Sequence, residues 1–366
     1  MIDAALARLV DQVQTARVAS GHFRIVGGGT KDFLGNALQG EPLNVRPLAG
    51  ISSYEPTELV VTVRAGTPLA ELEAALAERG QHLPFEPPRL GSASTVGGMI
   101  AAGLAGPSRA AAGSVRDHLL GATLLNGKGE VLSFGGQVMK NVAGYDVSRV
   151  LAGSMGVLGV ICEVSLKVLP MPTATATLRF EFDQAQALQK LNAWGGEPLP
   201  ISASAWWNQM LVVRLAGARA AVEAALEQLG GEGIEPALAA AFWQGLRDQQ
   251  DEFFASASIA VAKGAALWRL GLPQTAAPLT LPGEQLVEWG GAQRWLCTPG
   301  SAAQVREVAT AAGGHATLFR ANDKDADRSG GAFHPLSAPL ARFHRELKKA
   351  FDPDRVFNRG RLYAEL

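Results

Sequence analysis

The chain has 366 residues, 47% of them hydrophobic and 18% charged, and its 33 basic and 34 acidic residues leave a formal net charge of -1. This composition predicts a soluble, globular protein of two domains, because single cores seldom grow beyond about 250–300 residues. The near-neutral charge excludes a basic field for nucleic acid. The two cysteines, Cys162 and Cys297, lie outside any CxxC motif, which excludes an iron–sulfur site or a disulfide framework supplied by this chain. We expect both thiols to be buried and inert, in a cytoplasmic protein.

The first eighteen residues, MIDAALARLVDQVQTARV, carry acidic side chains among apolar ones. This pattern predicts an amphipathic helix and not a signal peptide. Residues 90–108 contain no charge, but they hold five glycines together with several Ser and Thr residues. Such a stretch makes a poor apolar helix, so we expect packed backbone here and no membrane span.

Short strands and helices alternate in the first part of the chain. ELVVTVR (58–64) is predicted to be a strand, and the following helix takes Thr67 as N-cap, Pro68 as its first residue and Gly80 as its end. The expected inward face of this helix is Leu69, Leu72 and Leu76. Residues 119–136 predict a hairpin around Asn126-Gly127-Lys128-Gly129. Residues 156–170 predict a further pair of strand-like runs.

The composition changes after residue 172, where alanine and tryptophan become frequent. LRFEFDQAQALQKLNAW predicts a strand and a helix, SASAWWNQMLVVRLAG predicts strands, and ARAAVEAALEQLGG predicts a helix. We therefore predict a first domain at 1–172, a second α+β domain at 173–330, and a segment at 331–366 that returns to the first domain. In that segment a basic amphipathic helix is expected to point Leu340, Phe343, Leu347 and Phe351 inward.

Three glycine-dense segments lie in the first domain. The first, VGGGTKDFLG (26–35), lacks the third glycine of a dinucleotide GxGxxG motif, where Asp32 stands, and lacks the Gly-Lys spacing of a Walker loop. Taken alone it is a glycine turn or a nest of N–H groups for an anion. Residues 94–121 and 140–164 are the other two. Three such segments together indicate one long ligand, and a dinucleotide has the right length.

An ordered series of motifs carries a family resemblance: RIVGGGT, LPFEPP, STVGGMIAAGLAG, GSVRDHLLGATLLNGKGEVLSFGG, KNVAGYDVSRVLAGSMGVLGVICEV and FDPDRVFNRGRL. The series resembles the FAD-binding flavoproteins of the vanillyl-alcohol oxidase type, and its residues are most similar to those of the smaller flavin subunits of bacterial glycolate oxidases. The resemblance implies an α+β fold, with a two-subdomain FAD-binding domain and an α+β cap domain. It covers residues 20–170 densely and the last thirty residues moderately.

The same resemblance implies FAD contacts by position. Backbone N–H groups would hold the pyrophosphate from Val26, Gly27, Gly28, Gly29, Thr30 and Lys31. Along the pyrophosphate and isoalloxazine would lie Pro87, Ser94, Thr95, Val96, Gly97, Gly98 and Met99. The flavin wall would continue with Gly103, Ser114 and Val115, the adenosine end would be closed by Gly156, Gly159, Val160 and Ile161, and Asn358 would approach the ring. Many members tether FAD through a histidine in the glycine loop; here there is none, so we predict non-covalent FAD.

The sequence does not identify the catalytic residues. Oxidation of a 2-hydroxy acid requires a base and a cation for the carboxylate. The GHxGDGNxH-like motif of related 2-hydroxy-acid enzymes is absent, and the nearest stretch carries His315, Arg320 and His334 without ligand spacing, so we predict no metal. We expect His118 to be a capped or core histidine, and Asp146, beside Tyr145, to cap a helix.

The resemblance implies a function as well. The chain would be the FAD-binding subunit of a complex that oxidises glycolate, a small 2-hydroxy acid, to glyoxylate. Its partners would be a larger flavin subunit and an iron–sulfur subunit, and any association with the inner membrane would go through them. Two alternatives stay open: a non-catalytic flavin or assembly subunit, and a free-standing FAD oxidoreductase for another alcohol or 2-hydroxy acid. Six tryptophans are expected to form a core or a partner surface: Trp206, Trp207, Trp243, Trp268, Trp289 and Trp295.

Overall fold

The computed structural model describes residues 3–136, 146–322 and 330–366. The chain divides into two compact units. Unit 1 comprises residues 1–104, 114–170 and 335–366, and unit 2 comprises residues 105–113 and 171–334. The sequence assigned residues 105–113 to the first domain, whereas their contacts group them with the second unit.

The secondary structure mixes helices and strands, which confirms the predicted α+β class. The helices are α1 Ala4–Val18, α2 Leu69–Ala77, α3 Val96–Ala102, α4 Arg109–Ala112, α5 Val115–His118, α6 Gln184–Trp194, α7 Arg219–Leu229, α8 Pro236–Asp248, α9 Glu252–Ala262, α10 Ala302–Ala311 and α11 Ala338–Phe351. Short 3-10 turns span Pro56–Glu58, Ser148–Leu151 and Trp289–Gly291. The strands are β1 Phe23–Val26, β2 Glu41–Asn44, β3 Ile51–Glu55, β4 Val60–Arg64, β5 Gln81–His82, β6 Leu119–Leu125, β7 Val131–Gly135, β8 Val160–Lys167, β9 Leu169–Pro170, β10 Ala174–Glu181, β11 Ile201–Trp207, β12 Met210–Gly217, β13 Glu232–Gly233, β14 Ala266–Gly271, β15 Glu284–Glu288, β16 Gln293–Thr298 and β17 His315–Ala321.

Unit 1 is built on a five-stranded antiparallel sheet in the order β3-β4-β8-β6-β7. A parallel pair β1-β2 and a short antiparallel pair β5-β9 accompany it. β6 and β7 form the predicted hairpin, in which Asn126 Oδ1 accepts hydrogen bonds from the amides of Lys128 at 2.9 Å and Glu130 at 3.0 Å. The pair of strand-like runs predicted in residues 156–170 appears as one long strand, β8, and one short strand, β9.

The segment at 356–358 returns to β1 and completes this side of unit 1. The amide of Phe23 donates to Val356 O at 2.7 Å, and the amide of Asn358 donates to Phe23 O at 2.9 Å. Helix α1 covers the same strands with a face whose residues recur every three or four positions: Leu9, Val13 and Ala16. Phe357, which is fully buried, packs in the same cluster. The last residues of the sequence therefore belong to the core around β1.

Unit 2 contains an eight-stranded antiparallel sheet in the order β13-β10-β12-β11-β15-β16-β14-β17. One core cluster lies between α6, α7 and strands β10, β11 and β12, and another between α10 and strands β14, β16 and β17. The predicted strand–helix and helix segments of this part appear as β10, α6 and α7, and the predicted strands form the β11–β12 hairpin. The sheet positions the polar residues that are discussed below.

Helix α2 has the predicted inward face but starts later than predicted. Leu69, Leu72 and Leu76 are fully buried. Pro68 is the N-cap, not the first helical residue. Thr67 does not cap the helix, because its hydroxyl accepts from the Gly50 amide at 2.9 Å and donates to Gly50 O at 3.2 Å. The side chain is thus used to hold a neighbouring loop.

Helix α11 departs from its predicted orientation. Leu340 and Phe343 are 51% and 64% exposed, while Leu347 and Phe351 are half-buried. The inward residue is Lys348, whose amino group donates to Asp352 Oδ2, Val157 O and Phe357 O at 2.7–2.9 Å. Helical periodicity alone predicts that the apolar stripe faces inward. The helix is instead rotated so that Lys348 faces inward, because three oxygen atoms there accept its hydrogen bonds.

The tryptophans and cysteines are largely interior. Trp206, Trp243, Trp268, Trp289 and Trp295 are buried, and Trp207 is half-buried, so they form core and not a partner surface. Both cysteines are free and buried, as predicted, and burial raises the pKa of the Cys162 thiol to about 12. Among the described helices, none is long and apolar enough to cross a membrane.

Candidate functional site

A cleft in unit 1 brings the three glycine-dense segments together. It is open to solvent on one side, its empty space including that opening is about 770 Å³, and residues near the end of the chain form part of its lining. Twelve of the residues predicted from the sequence line it: Gly27, Gly28, Gly29, Thr30, Lys31, Thr95, Gly97, Gly98, Gly156, Gly159, Ile161 and Asn358. Residues that are far apart in sequence thus share one surface.

The loop after β1 presents main-chain donors to this cleft. Within the described part of the chain, the amides of Gly27, Gly28, Gly29 and Thr30 donate no hydrogen bond. Buried or half-buried N–H groups are normally paired. Four successive unpaired amides form a nest that suits an anion.

Close packing fixes the position of this loop. A Cβ atom added to Gly28 would lie 1.5 Å from the carbonyl oxygen of Ala93, and one added to Gly27 would lie 2.6 Å from Thr95 Oγ1. Gly29 has φ +70°, which favours glycine. The glycines are therefore needed for backbone contact with residues 93–95 and for the turn itself.

Two cationic side chains lie at the loop. Lys31 is buried, and its Nζ donates to Ser94 Oγ at 2.8 Å. Arg361, also buried, donates from Nη2 to the carbonyls of Asp32 at 2.9 Å and Lys31 at 3.3 Å, and from Nη1 to Asn36 O. Both residues line the cleft, so positive charge accompanies the unpaired amides. The sequence did not single out Arg361, although the FNRGRL motif contains it.

Small residues of α3 form one wall. Thr95 is the N-cap, and its Oγ1 accepts from the Gly98 amide at 3.2 Å. Gly97 packs against Ala65, where an added Cβ would lie 2.7 Å from the Ala65 Cβ. Ala101 and Ala102 continue the wall one turn later. A surface without long side chains admits a flat ring system.

Asn358 holds the opposite wall together. Its Oδ1 accepts from the Ile25 amide at 2.8 Å, and its Nδ2 donates to Met155 O at 2.6 Å. It is 8% exposed and has φ +43°. Gly156 lies against it, since an added Cβ there would be 2.6 Å from Asn358 Nδ2. One amide therefore joins β1, the segment around residue 155 and the end of the chain.

We expect Asn358→Leu to destabilise unit 1. The substitution leaves the Ile25 amide and the Met155 carbonyl without their partner, and each unsatisfied buried group costs about 1–3 kcal/mol. The measurement is the urea dependence of flavin release. Asn208→Leu is the control, because Asn208 has a similar φ of +48° in the exposed turn of the β11–β12 hairpin. An equal effect of both variants would assign the loss to backbone strain and not to the lost hydrogen bonds.

Nine other predicted residues lie outside the lining of the cleft. Val96, Met99, Val115 and Val160 are buried in the core, Pro87 is buried, and Val26 ends β1. Gly103 caps α3 beside Gly153, Ser94 binds Lys31, and Ser114 forms a capping box with Asp117. Their assignment to FAD stays a prediction, and in the structure each supports a lining residue or the core.

The other titratable residues that the sequence suggested and the structure describes do not line this cleft. His118 is buried beside Phe85, with ring centroids 5.5 Å apart, as expected of a core histidine. Asp146 accepts from Ser148 Oγ at 2.9 Å and from the Arg149 amide at 3.4 Å, but the N-cap of the following 3-10 turn is Val147, so Asp146 is not the helix cap that the sequence predicted. Tyr145 lies outside the described residues. His315 and His334 are neighbours in unit 2, with centroids 6.5 Å apart, and no metal-binding group of His, Cys, Asp or Glu occurs in the described ranges.

These features fit a long ligand that carries an anionic group and a flat ring. The anion matches the amide nest with Lys31 and Arg361, and the ring matches the small-residue wall of α3. The loop leads from one strand into a turn and a further strand, β2, so it is not a dinucleotide GxGxxG loop before a helix. The fold and the cleft fit the class of FAD-binding flavoproteins that the sequence motifs resemble.

Known proteins agree with this class. A family model described as "FAD binding domain" matches residues 5–135. The glycolate oxidase subunit GlcE of Escherichia coli is 49% identical over 98% of this chain and 97% of that protein. The chain belongs to the family of this GlcE subunit. The glycolate oxidase subunit GlcD of Bacillus subtilis is 30% identical, over 37% of this chain and 29% of its own length.

A solved structure shows the same fold at low identity. An alkyldihydroxyacetonephosphate synthase has a TM-score of 0.62 and 16% identity, and the alignment covers 96% of this chain and 74% of that one. At this identity the likeness speaks for the fold alone. With the family and the domain match, the chain is an FAD-dependent oxidoreductase, and FAD is its cofactor.

Proposed function

We propose that this chain is the FAD-binding subunit of a complex that oxidises glycolate to glyoxylate and passes the electrons to a partner subunit. The observation that carries the proposal is the 49% identity to a glycolate oxidase subunit over nearly the whole of both chains. The unpaired amides of Gly27, Gly28, Gly29 and Thr30 support it, because they provide the anion site that an FAD pyrophosphate requires.

Different residues of the cleft would bind different parts of FAD. The loop amides, Lys31 and Arg361 would bind the pyrophosphate, and the α3 wall with Gly97 and Gly98 would admit the ring system. Asn358 would hold β1 and the segment at 155 at the spacing that the ligand needs. Bound FAD supplies a two-electron acceptor for the hydride that leaves the alcohol carbon.

The electrons must leave through another protein in this proposal. The chain has two cysteines, and both are buried, so it provides no thiolate set for an iron–sulfur cluster. We therefore propose a larger flavin subunit and an iron–sulfur subunit as partners. The proposed location is the cytoplasm, with contact to the inner membrane through those partners.

We expect purified protein to carry FAD that acid precipitation releases. The loop at 27–31 contains no histidine to tether it, and His22 lies before β1. The measurement is the absorbance spectrum of the acid supernatant and pellet. Flavin that stays in the pellet would contradict non-covalent binding.

Anaerobic titration with glycolate tests the reaction. Bleaching of the flavin in the purified chain would show that the chain itself accepts the hydride. A second candidate, an auxiliary flavin subunit, is favoured by the absent GHxGDGNxH-like motif. It predicts flavin that stays oxidised until the partner subunits are added. Flavin that stays oxidised in the assembled complex would overturn both.

A further inference from the structure

Unit 2 holds a polar cluster on one face of its sheet. Glu288 of β15 lies opposite Gln293 of β16, and Gln293 lies opposite Gly271 of β14. Arg269 is two residues from Gly271, so its side chain leaves the same face. Glu288 and Gln293 are buried, and Arg269 is half-buried.

One amide separates the two charges of this cluster. Gln293 Nε2 donates to Glu288 Oε2 at 2.8 Å, and Arg269 Nε donates to Gln293 Oε1 at 2.6 Å. Trp295 Nε1 also donates to Glu288 Oε2, at 2.6 Å. Gln293 therefore orients the carboxyl and the guanidinium side by side.

The remaining polar atoms of the Arg269 guanidinium and the Glu288 carboxyl make no hydrogen bond within the described residues. Across residues 3–136, 146–322 and 330–366, no hydrogen bond reaches Arg269 Nη1 or Nη2, or Glu288 Oε1. These three atoms are not among the fully buried side-chain atoms of that part of the chain that lack a hydrogen-bond partner. A neighbouring arginine shows the contrast: Arg294, fully buried, donates to the carbonyls of Gly291, Ala277 and Ala276.

Two arginine side chains lie against one tryptophan ring beside this cluster. The guanidinium of Arg269 lies 5.4 Å from the centre of the Trp289 ring, and that of Arg109 lies 4.6 Å from the same ring. Burial, together with the nearby carboxylate of Asp251, raises the pKa of Glu288 to about 7, so Glu288 offsets the charge of Arg269 only in part near neutral pH. Burial lowers the pKa of Arg269 to about 10, which leaves it charged.

We propose that Arg269, Gln293 and Glu288 form a subsite for a small 2-hydroxy carboxylate. The Nη atoms of Arg269 bind the carboxylate, and Glu288 Oε1 accepts the hydrogen bond of the hydroxyl on the adjacent carbon. Arginine forks match carboxylates in two parallel hydrogen bonds, and a carboxylate oxygen accepts a hydroxyl proton. The proposal rests on the proposed function only for the choice of the hydroxy acid.

Calorimetric titration of the full chain with FAD bound tests the subsite with three probes: glycolate, acetate and ethylene glycol. Acetate lacks the hydroxyl, and ethylene glycol lacks the carboxylate. We expect glycolate to bind best, acetate to bind more weakly and ethylene glycol not to bind. Failure of glycolate to bind to flavin-loaded chain overturns the proposal.

Variants then assign the two contacts. Arg269→Gln is expected to weaken glycolate and acetate alike by about 10- to 100-fold, the loss of a charged hydrogen-bond pair. Glu288→Gln keeps the shape of the side chain and removes its charge. It is expected to reduce the ratio of the affinities for glycolate and acetate by about 10-fold. Arg179→Gln is the matched control, since Arg179 is an exposed arginine of the same unit paired with Glu232. Arg269→Lys replaces Arg269→Gln if the latter does not fold, because it keeps the positive charge but lacks the two parallel guanidinium donors. An intermediate loss of glycolate affinity is expected for it.

The outcomes separate this inference from the proposed function. Unchanged glycolate binding in the Arg269 variants overturns the subsite, even if the complex oxidises glycolate. Arg269-dependent binding in a chain whose complex oxidises no glycolate supports the subsite and overturns the function. Equal losses for Arg269→Gln and Arg179→Gln would indicate a general charge effect and also overturn the subsite.

Discussion

Gly28→Ala is expected to yield protein without FAD. The added Cβ would lie 1.5 Å from Ala93 O and 2.4 Å from Ala93 C, and both are backbone atoms that no rotamer change can remove. The loop must shift, and with it the unpaired amides of Gly27, Gly29 and Thr30. Loss of two hydrogen bonds to a charged group corresponds to about 100-fold or more in affinity.

The measurement is the ratio of flavin to protein after gel filtration, followed by titration of FAD into the apoprotein. Gly136→Ala is the control, because an added Cβ there meets no atom of the described residues within 4 Å and Gly136 has no positive φ. The circular dichroism of both variants should match that of the parent. Full flavin occupancy in Gly28→Ala would remove this loop from the FAD site.

Lys348→Met is expected to destabilise unit 1 by about 3–5 kcal/mol, the loss seen when one partner of a buried ion pair is removed. The side chains of Lys348 and Asp352 are 5% and 0% exposed. Asp352 would keep only its hydrogen bonds from the amides of Val356 and Phe357, at 2.8 and 2.9 Å. An uncompensated buried carboxylate would result.

Urea denaturation followed by flavin fluorescence measures this loss. Lys349→Met is the matched control, because Lys349 is exposed on the same helix; a change within about 0.5 kcal/mol is expected for it. Adding Asp352→Asn to Lys348→Met should recover part of the stability, since the second charge is then removed too. A loss below about 1 kcal/mol for Lys348→Met would show that water reaches the carboxylate.

Local sequence patterns predicted the parts of unit 1 that depend on neighbouring residues. The sequence marks Gly28 and Gly97 because an added Cβ would collide with neighbouring backbone, and Gly29 because of its positive φ. The hairpin at 126–129 follows from its turn residues. The α+β character of the second domain followed from its strands and helices, and that of the whole fold followed from the family resemblance. These features need no knowledge of the rest of the chain.

Contacts between distant residues could not be predicted in this way. Arg361 reaches the carbonyls of Lys31 and Asp32 across 330 and 329 positions, and no local pattern marks it. Lys348 is inward because its oxygen acceptors come from three places in the chain, which hydrophobic periodicity does not register. Arg269 and Glu288 become neighbours only through the strand order of unit 2.

The return of residues 335–366 to unit 1 has a consequence for biosynthesis. Every residue of unit 2 precedes residue 335, so unit 2 can complete its sheet on the ribosome while unit 1 still lacks Phe357, Asn358 and Arg361. At about 5–20 residues per second, synthesis of that last stretch takes a few seconds. The nascent chain would then expose the apolar faces of α1 and β1 during this interval. Cofactor loading would wait until residues 357–361 have left the ribosome and joined unit 1.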